Sequence, residues 1–246
     1  MFAGIIFDLD GVIADTHAIH RQAWRQMLLE RGQRVSEGEL DFVLEGRKRE
    51  EILRHFLGTL SAAEISHYGE RKDELFRQSA VGGLQTVPGV LDFLDQLDSA
   101  RVPKAVATSA SKRRTHQIIE RLGLASRFSA VLTGDDVVKG KPDPSIFYLA
   151  AEHLRMIPHR LLVVEDSGAG VRAAKSAGMR CLGIGSGALA ARLGQDGADY
   201  VVPDFSGISL AKLQSLFATP QAINTKYNGN NSCTGSSDFV GCKETV

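Results

Sequence analysis

The stretch that decides the fold of this 246-residue chain lies at its start, where residues 4–16 read GIIFDLDGVIADT. Residues 3–7 form a short apolar run, which is typical of a buried β-strand. Asp8 and Asp10 follow two positions apart, so on an extended backbone both side chains point to one face. Buried carboxylates are costly without a partner, so at a strand end they would share a divalent cation or divide into one ionised and one protonated group. Two surface aspartates in a turn are the alternative that these residues leave open.

The composition excludes several classes of protein. Hydrophobic residues make up 43% of the chain and charged residues 24%, as in ordinary globular proteins. The 29 basic and 29 acidic side chains give a formal net charge of +0, so nothing indicates nucleic-acid binding. The first apolar run ends at Asp8, too early for a secretory signal, and no apolar run approaches the roughly 20 residues of a membrane span. Cys181, Cys233 and Cys242 lack metal-ligand spacing, and we expect a reduced, cytoplasmic chain.

Residues 16–79 have a different pattern from the rest and predict a helical domain, called here the cap segment. Asp15 or Thr16 can cap a helix over 17–31, which Gly32 would end. Two Ser-x-x-Glu motifs, at 36–39 and 61–64, are typical of capping boxes at further helices. No strand candidate occurs in this region. We therefore predict that the cap segment is inserted into a second domain, formed by residues 1–15 and 80–219.

From residue 80 onward, strands and helices alternate. Strands are predicted at 102–108, 130–133, 161–164, 179–184 and 200–202, and helices at 90–100, 111–123, 144–155, 169–177 and 210–217. Continuously apolar strands that alternate with helices indicate an α/β fold, a Rossmann-like doubly wound parallel sheet covered on both faces. Such sheets bind ligands at the carboxyl ends of their strands.

The last part of the chain, residues 220–246, is rich in Asn, Gly, Ser and Thr and has no periodicity. We expect this tail to be disordered. It contains Cys233 and Cys242, for which a metal or redox role is the less favoured interpretation.

Further polar groups follow the predicted strands of the second domain. Ser109 follows the strand at 102–108, Glu165 and Asp166 follow the strand at 161–164, and Lys141 lies in a loop. In a parallel sheet they would meet Asp8 and Asp10 at one rim, and such a set suits a metal-assisted reaction on a phosphate, for which a carboxylate nucleophile is a known route. Taken singly, the acidic pair could serve as a helix cap, and Lys141 could be a solvated loop charge.

In combination these residues carry a family resemblance. The sequence DLDGV at 8–12, Ser-Ala at 109–110, Lys-Pro at 141–142 and Glu-Asp at 165–166 resemble the haloacid dehalogenase-like superfamily, and more narrowly its β-phosphoglucomutases and sugar phosphatases. The resemblance extends to about residue 217, and the family's helical cap falls on the cap segment. It implies a Mg²⁺-dependent enzyme that forms an aspartyl phosphate and acts on a small phosphorylated metabolite. We expect this enzyme to be a monomer.

The resemblance also implies a role for each core residue. Asp8 would be the nucleophile, and Asp10 the general acid and then the base. Mg²⁺ would be held by Asp8, the main-chain carbonyl of Asp10 and Asp166, with Glu165 supporting it through water. The phosphoryl oxygens would be held by Ser109, the Ala110 N–H group and Lys141. We expect Asp8 to stay ionised beside the cation and Lys141. Asp10 has no direct carboxylate contact with the metal in this scheme, so it can be protonated near neutrality when the site closes.

The cap segment bears on the choice between hydrolase and mutase. The positions that resemble substrate contacts of β-phosphoglucomutases are Thr16, His20, Arg49, Lys72, Ser111 and Lys112, although Ser111 could equally cap the helix that follows. Glu45 departs from the pattern, because it replaces a lysine of the mutase loop and would repel a second phosphate. We therefore expect a phosphatase of small phosphorylated sugars or related metabolites. The alternative is a β-phosphoglucomutase that interconverts β-glucose 1-phosphate and glucose 6-phosphate.

Other classes of function fit less well. Gly168-x-Gly170-x-x-Ala173 imitates a dinucleotide fingerprint, but the expected acidic residue is missing and Glu165-Asp166 would face the pyrophosphate with like charge. Residues 134–141 lack the glycine spacing of a P-loop. A structural or protein-binding role would require a decayed site, and every core position is intact.

Overall fold

The computed structural model describes residues 2–218, so the prediction of a disordered tail lies outside the described residues. Within them the chain forms eight strands: β1 (Gly4–Phe7), β2 (Ala14–Asp15), β3 (Gln85–Thr86), β4 (Lys104–Ala107), β5 (Ala130–Leu132), β6 (Leu161–Glu165), β7 (Arg180–Ile184) and β8 (Tyr200–Val202). The same range contains nine α-helices: α1 (His17–Leu29), α2 (Arg49–Leu57), α3 (Ala62–Ser79), α4 (Val90–Ser99), α5 (Lys112–Arg121), α6 (Ser145–His153), α7 (Gly168–Ser176), α8 (Gly187–Gln195) and α9 (Leu210–Leu216).

Six of the strands form one parallel sheet, in the order β5-β4-β1-β6-β7-β8. In the centre, Ile6 of β1 lies opposite Ala105 of β4 on one side and Val163 of β6 on the other. The predicted doubly wound α/β sheet is confirmed. Strands β4 and β5 lie on one side of β1 and strands β6 to β8 on the other, so the strand order reverses at β1. A crevice opens at the carboxyl end of β1, where such sheets bind ligands.

The sheet is buried on both faces because alternate residues of each strand enter different hydrophobic clusters. Ile5 and Phe7 pack into a cluster with Phe93 of α4, whereas Ile6 packs into one with Phe147 of α6. Burying each such side chain contributes roughly 1.5–3 kcal/mol. Two buried faces explain why the strands are apolar throughout instead of alternating.

The cap segment is largely helical in the structure. It contains α1, a 3₁₀-helix at Glu39–Leu44, α2 and α3. The predicted capping box at α3 is confirmed, since the Ser61 hydroxyl accepts the Glu64 N–H group and the Glu64 carboxylate accepts the Ser61 N–H group at 2.8 Å. The division of the chain into two domains stays a prediction.

Some elements differ from the predictions. β2 and β3 pair antiparallel at the two ends of the cap segment, but two-residue strands are too short to show a periodicity. Helix α8 has no predicted counterpart. Leu189 and Leu193 lie at helical spacing, but glycines at 187 and 194 keep the apolar pattern short, and Leu193 is the one buried residue of the helix. Among residues 2–218, every helix is too short or too polar to span a lipid bilayer.

Candidate active site

The carboxyl ends of three neighbouring strands meet at the candidate active site. Asp8 follows β1, Thr108 follows β4, and Asp166 follows β6. All three line one cleft of about 200 Å³, whose other wall comes from the cap segment. The structure therefore brings the polar groups of the sheet rim together, as the parallel topology requires.

Lys141 lies at the centre of this rim and is only 1% exposed. Its Nζ donates to Asp8 Oδ1 at 2.6 Å, to Glu165 Oε1 at 2.5 Å and to the Ala107 carbonyl at 3.0 Å. Burial alone would lower the pKa of Lys141, but Asp8 and Glu165 outweigh it and raise that pKa. Lys141 is thus a buried cation between two carboxylates, and the solvated-loop alternative is wrong.

Asp8 is a buried carboxylate whose charge is poorly compensated. Burial raises its pKa to about 7, with Glu165 adding to the rise and Lys141 opposing it. Lys141 alone therefore does not restore the ordinary, low pKa of this carboxylate. A divalent cation beside the carboxylate would lower that pKa again.

Glu165 is completely buried and orients its neighbours. Besides Lys141 it accepts the Ser167 hydroxyl at 2.9 Å, and burial raises its pKa. A Cβ at Gly170 would lie 2.0–2.2 Å from the Glu165 carboxyl group. That close approach accounts for the glycine in the sequence that imitates a dinucleotide fingerprint, because Glu165 occupies the space above the start of α7.

Asp166 lies beside Asp8 and contacts the cap segment, where His17 Nε2 approaches its Oδ2 to 2.5 Å. Burial raises the pKa of Asp166, His17 opposes the rise and the Asp8 charge adds to it. No three His, Cys, Asp or Glu side chains among residues 2–218 form a ready-made metal cage. Mg²⁺ commonly binds through one or two carboxylates and completes its shell with water and substrate phosphate. Two buried, mutually repelling carboxylates fit that cation.

Asp10 is ionised in this arrangement. Its Oδ1 accepts Thr16 Oγ1 at 2.7 Å and lies 3.0 Å from His20 Nε2, and Arg114 lies 3.0 Å from its Oδ2. Burial would raise the pKa of Asp10, but Arg114 and His20 outweigh it and hold that pKa well below its usual range. This arrangement therefore favours the ionised form of Asp10, because the Arg114 guanidinium, which the sequence did not predict there, faces it. Protonation of Asp10 when the site closes stays a prediction.

Thr16 and His20 of the cap segment therefore face the core. Thr16 stands at the N-cap position of α1 but makes no side-chain capping bond, since its hydroxyl donates to Asp10. Lys72 Nζ lies 2.9 Å from His20 Nδ1. Burial, with Lys72 adding to it, lowers the pKa of His20 to about 3. A neutral His20 accepts from Lys72 at Nδ1 only when its proton is on Nε2; that tautomer suits the Asp10 carboxylate but not the Arg114 guanidinium, which also contacts Nε2.

Arg114 is a site residue that the sequence did not predict. It lies in the first turn of α5, its side chain is 11% exposed, and it reaches both Asp10 and His20 Nε2. A cation near a helix N-terminus is unfavourable beside the helix dipole. That mismatch is the signal that could have indicated an acidic partner across the cleft.

Ser109 and Ala110 line the cleft, yet both have partners within the protein. The Ser109 hydroxyl donates to the Gly46 carbonyl of the cap segment at 2.6 Å, and the Ala110 N–H group donates to Thr108 Oγ1 at 3.2 Å. Gly46 has a φ of +76°, and a Cβ there would lie 2.3 Å from Ser167 Oγ. The cap segment thus packs directly on the rim at Gly46.

Of the remaining predicted substrate contacts, Arg49 and Ser111 line the cleft and Lys112 does not. Arg49 Nη1 and the Ser111 hydroxyl each lie 3.3 Å from Asp73 Oδ2, and all three residues line the cleft. Ser111 is the N-cap residue of α5 but makes no side-chain capping bond. Lys112 is exposed, it is not among the residues that line the cleft, and its backbone N–H group donates to Asp135. The structure does not bring the Lys112 side chain into the site.

The loop around Glu45 has its charges paired. Arg47 lies 3.1 Å from Glu45 and 3.4 Å from Glu51, and Lys48 Nζ donates to the Val137 carbonyl at 2.7 Å. Each of these two cations therefore already has an acceptor within the protein. Arg47 thus compensates the charge of Glu45, but this pairing and the hydrogen bond of Lys48 leave both cations engaged within the protein.

Comparison with known proteins gives consistent results. The sequence profile of the haloacid dehalogenase-like hydrolases matches residues 5–184. The chain is 34% identical to the phosphorylated carbohydrates phosphatase of Thermotoga maritima, over 71% of this chain and 81% of that protein. It is also 34% identical to the β-phosphoglucomutase of Bacillus subtilis, over 85% and 92%. The crystal structure of a β-phosphoglucomutase from Clostridium difficile superposes with a TM-score of 0.80 and 26% identity, over 89% and 98% of the two chains.

Proposed function

This chain belongs to the haloacid dehalogenase-like hydrolases, and on that premise we propose that it is a Mg²⁺-dependent phosphatase of small phosphorylated sugars or related metabolites. The observation that carries the proposal is the buried contact of Asp8 with Lys141 at the carboxyl end of β1, within a cleft that the cap segment closes. The phosphorylated carbohydrates phosphatase among its relatives supports the substrate class. We take residues 1–15 and 80–219 as the core domain and the cap segment as the substrate-binding domain of a monomer.

The reaction has two steps. In the first, Asp8 attacks phosphorus in line, the bond from phosphorus to the sugar oxygen breaks, and Asp10 gives its proton to that oxygen. In the second, Asp10 takes a proton from water, the water oxygen attacks phosphorus, and the bond to Asp8 breaks to release phosphate. Lys141 stays within hydrogen-bond reach of Asp8 and offsets the charge that develops on the phosphoryl oxygens.

Asp10 changes protonation during this cycle. The ionised state that Arg114 and His20 favour is the state that the second step requires. For the first step Asp10 must gain a proton, which the negative charge of an arriving phosphate ester favours. Thr16 and His20 hold the carboxylate oriented between the two steps.

Asp8, Asp166 and the main-chain carbonyl of Asp10 would hold Mg²⁺, with Glu165 supporting the site through water. When bound, the cation supplies positive charge that neutralises the phosphoryl oxygens. Substrate entry exchanges the hydrogen bond between Ser109 and Gly46 for one from the Ser109 hydroxyl to a phosphoryl oxygen, and the Ala110 N–H group supplies a second donor.

A β-phosphoglucomutase is the second candidate, and one observation favours it. Lys72, His20 and Asp10 form a continuous chain of contacts of 2.9 and 3.0 Å, which matches the pair that resembles the substrate-sensing residues of the mutases. Against it stands Glu45, whose pairing with Arg47 leaves that cation less free to hold the second phosphate of a mutase intermediate.

One assay distinguishes the two reactions. The protein is incubated with β-glucose 1-phosphate, Mg²⁺ and a trace of glucose 1,6-bisphosphate, and glucose 6-phosphate and free phosphate are both followed. We expect steady release of phosphate, here and from other sugar phosphates. Fast formation of glucose 6-phosphate with little release of phosphate would contradict the phosphatase assignment and support the mutase.

A further inference from the structure

Asp73 of α3 is an acidic residue that the catalytic steps do not use, although it lines the cleft together with Asp8. Its side chain is 14% exposed and three cations surround it. Arg49 lies 3.3 Å away, and Lys72 and Arg114 each lie 3.9 Å away. The Ser111 hydroxyl donates to the same carboxylate at 3.3 Å. One carboxylate of the cap segment thus occupies the centre of a cationic cluster built from α2, α3 and α5.

Without Asp73 this cluster would form a receptor for an anion. Arg49, Lys72 and Arg114 all line the cleft that contains the nucleophile, and the Lys72 and Arg114 side chains are only 4% and 11% exposed. Partly desolvated guanidinium groups bind phosphate or carboxylate strongly. Asp73 supplies that negative charge from within the protein, so the cluster needs no anion from the substrate.

The other cations of the cap segment at the cleft are occupied in the same way. Arg47 is paired with Glu45 and Glu51, and Lys48 donates to a backbone carbonyl of the core. An additional phosphate on the distal part of a substrate would therefore meet carboxylates as well as cations. To bind there it would have to displace Asp73 from Arg49, which leaves a half-buried carboxylate without its partner.

We propose that Asp73 is a specificity-determining residue that fills the cap-side anion site, so that the enzyme accepts phosphomonoesters with an uncharged sugar or polyol and rejects sugar bisphosphates. This inference rests on the proposed phosphatase function and names its substrate class. Exclusion by a like charge built into the site is a general means of discriminating between otherwise similar ligands.

The test compares kcat/KM for glucose 1-phosphate and glucose 1,6-bisphosphate, measured as initial phosphate release, in the wild type and in Asp73→Asn. Asparagine keeps the shape and a hydrogen-bond acceptor for Ser111 but removes the charge. We expect the wild type to prefer the monophosphate by about tenfold or more, and the variant to shift that ratio towards the bisphosphate by about tenfold.

Glu74→Gln is the matched control. It removes one negative charge from the next position of α3, where Glu74 pairs with Arg71 at 2.8 Å and is not among the residues that line the cleft. We expect the substrate ratio of this variant to equal that of the wild type. A shift as large as that of Asp73→Asn would show that only the general charge of the cap segment matters, and would overturn the assignment.

Two further outcomes would overturn the proposal. One is that the wild-type enzyme hydrolyses the bisphosphate as efficiently as the monophosphate; this measurement needs no variant. The other is an Asp73→Asn enzyme, or Asp73→Ser if the first does not fold, with both activities lowered by the same factor. If the wild type releases phosphate from no sugar monophosphate at all, the proposed function fails first and this inference fails with it.

Discussion

Gly46 is the point where a single added methyl group tests how the cap segment docks on the core. In Gly46→Ala the new Cβ would lie 2.3 Å from Ser167 Oγ and 3.0 Å from Ser167 Cβ. Ser167 cannot yield easily, because its hydroxyl donates to Glu165 at 2.9 Å and accepts the Gly170 N–H group at 3.1 Å. The loop around Gly46 must therefore retreat by about 1 Å to reach an ordinary contact distance.

Such a retreat moves groups that line the cleft away from the rim. A misplacement of about 1 Å can reduce a rate by on the order of 100-fold, so we expect kcat/KM for a sugar phosphate to fall by about that factor. The alanine also carries the cost of a positive φ, +76° at this position, which is roughly 1–2 kcal/mol.

Gly32→Ala separates the two effects. Gly32 has a φ of +77°, and a Cβ there would meet nothing within 4 Å. This control should lose a similar 1–2 kcal/mol of unfolding free energy in urea while its kcat/KM stays at the wild-type value. A Gly46→Ala enzyme that keeps wild-type kcat/KM, or a Gly32→Ala enzyme that loses as much activity, would refute the docking explanation.

Three other predictions follow from the site and the cap segment. Asp8→Asn should abolish turnover, and mass spectrometry of the quenched enzyme should find no phosphoenzyme; steady-state activity of this variant would exclude Asp8 as the nucleophile. Removal of divalent cations with EDTA should stop phosphate release and added Mg²⁺ should restore it, whereas full activity in EDTA would argue against a cation between Asp8 and Asp166. Hydrogen bonds from Ser61 hold the pKa of Glu64 below its ordinary value of 4.5, so the ionised form stabilises the fold at neutral pH and this contribution is lost as the pH falls below about 4.5. Glu64→Gln should therefore be less stable than the wild type in urea at pH 7, and the difference should shrink towards pH 4; a constant difference would mean that the charge of Glu64 is irrelevant.

Much of the fold is predictable from the sequence because it depends on local pattern. The apolar run before Asp8 and the alternation after residue 80 correspond to strands and helices with boundaries within a few residues. The elements that were missed lack such a pattern. Strands β2 and β3 have two residues each, and α8 buries only Leu193.

The residues of the candidate site also fall into predictable and unpredictable groups. Asp8, Lys141 and Asp166 were identifiable, because each follows a strand of the sheet or carries a family motif. Arg114 and Asp73 were not, because nothing within a few residues of either shows which charges face it across the cleft. Asp10 lies about a hundred residues from Arg114. Apart from the adjacent Lys72, the cations around Asp73 lie 24 residues away (Arg49) and about forty residues away (Arg114).

The parallel sheet, the rim that carries Asp8 and the family of the chain follow from hydrophobic periodicity and short motifs, which are properties of neighbouring residues. The charge states and the contents of the cleft depend on how the chain folds in three dimensions. Burial raises the pKa of Asp8 to about 7, and Arg114 holds Asp10 ionised. Asp73 pairs with the cations of the cap segment. These effects depend on desolvation and on distances of a few ångströms between distant parts of the chain, which no local pattern specifies.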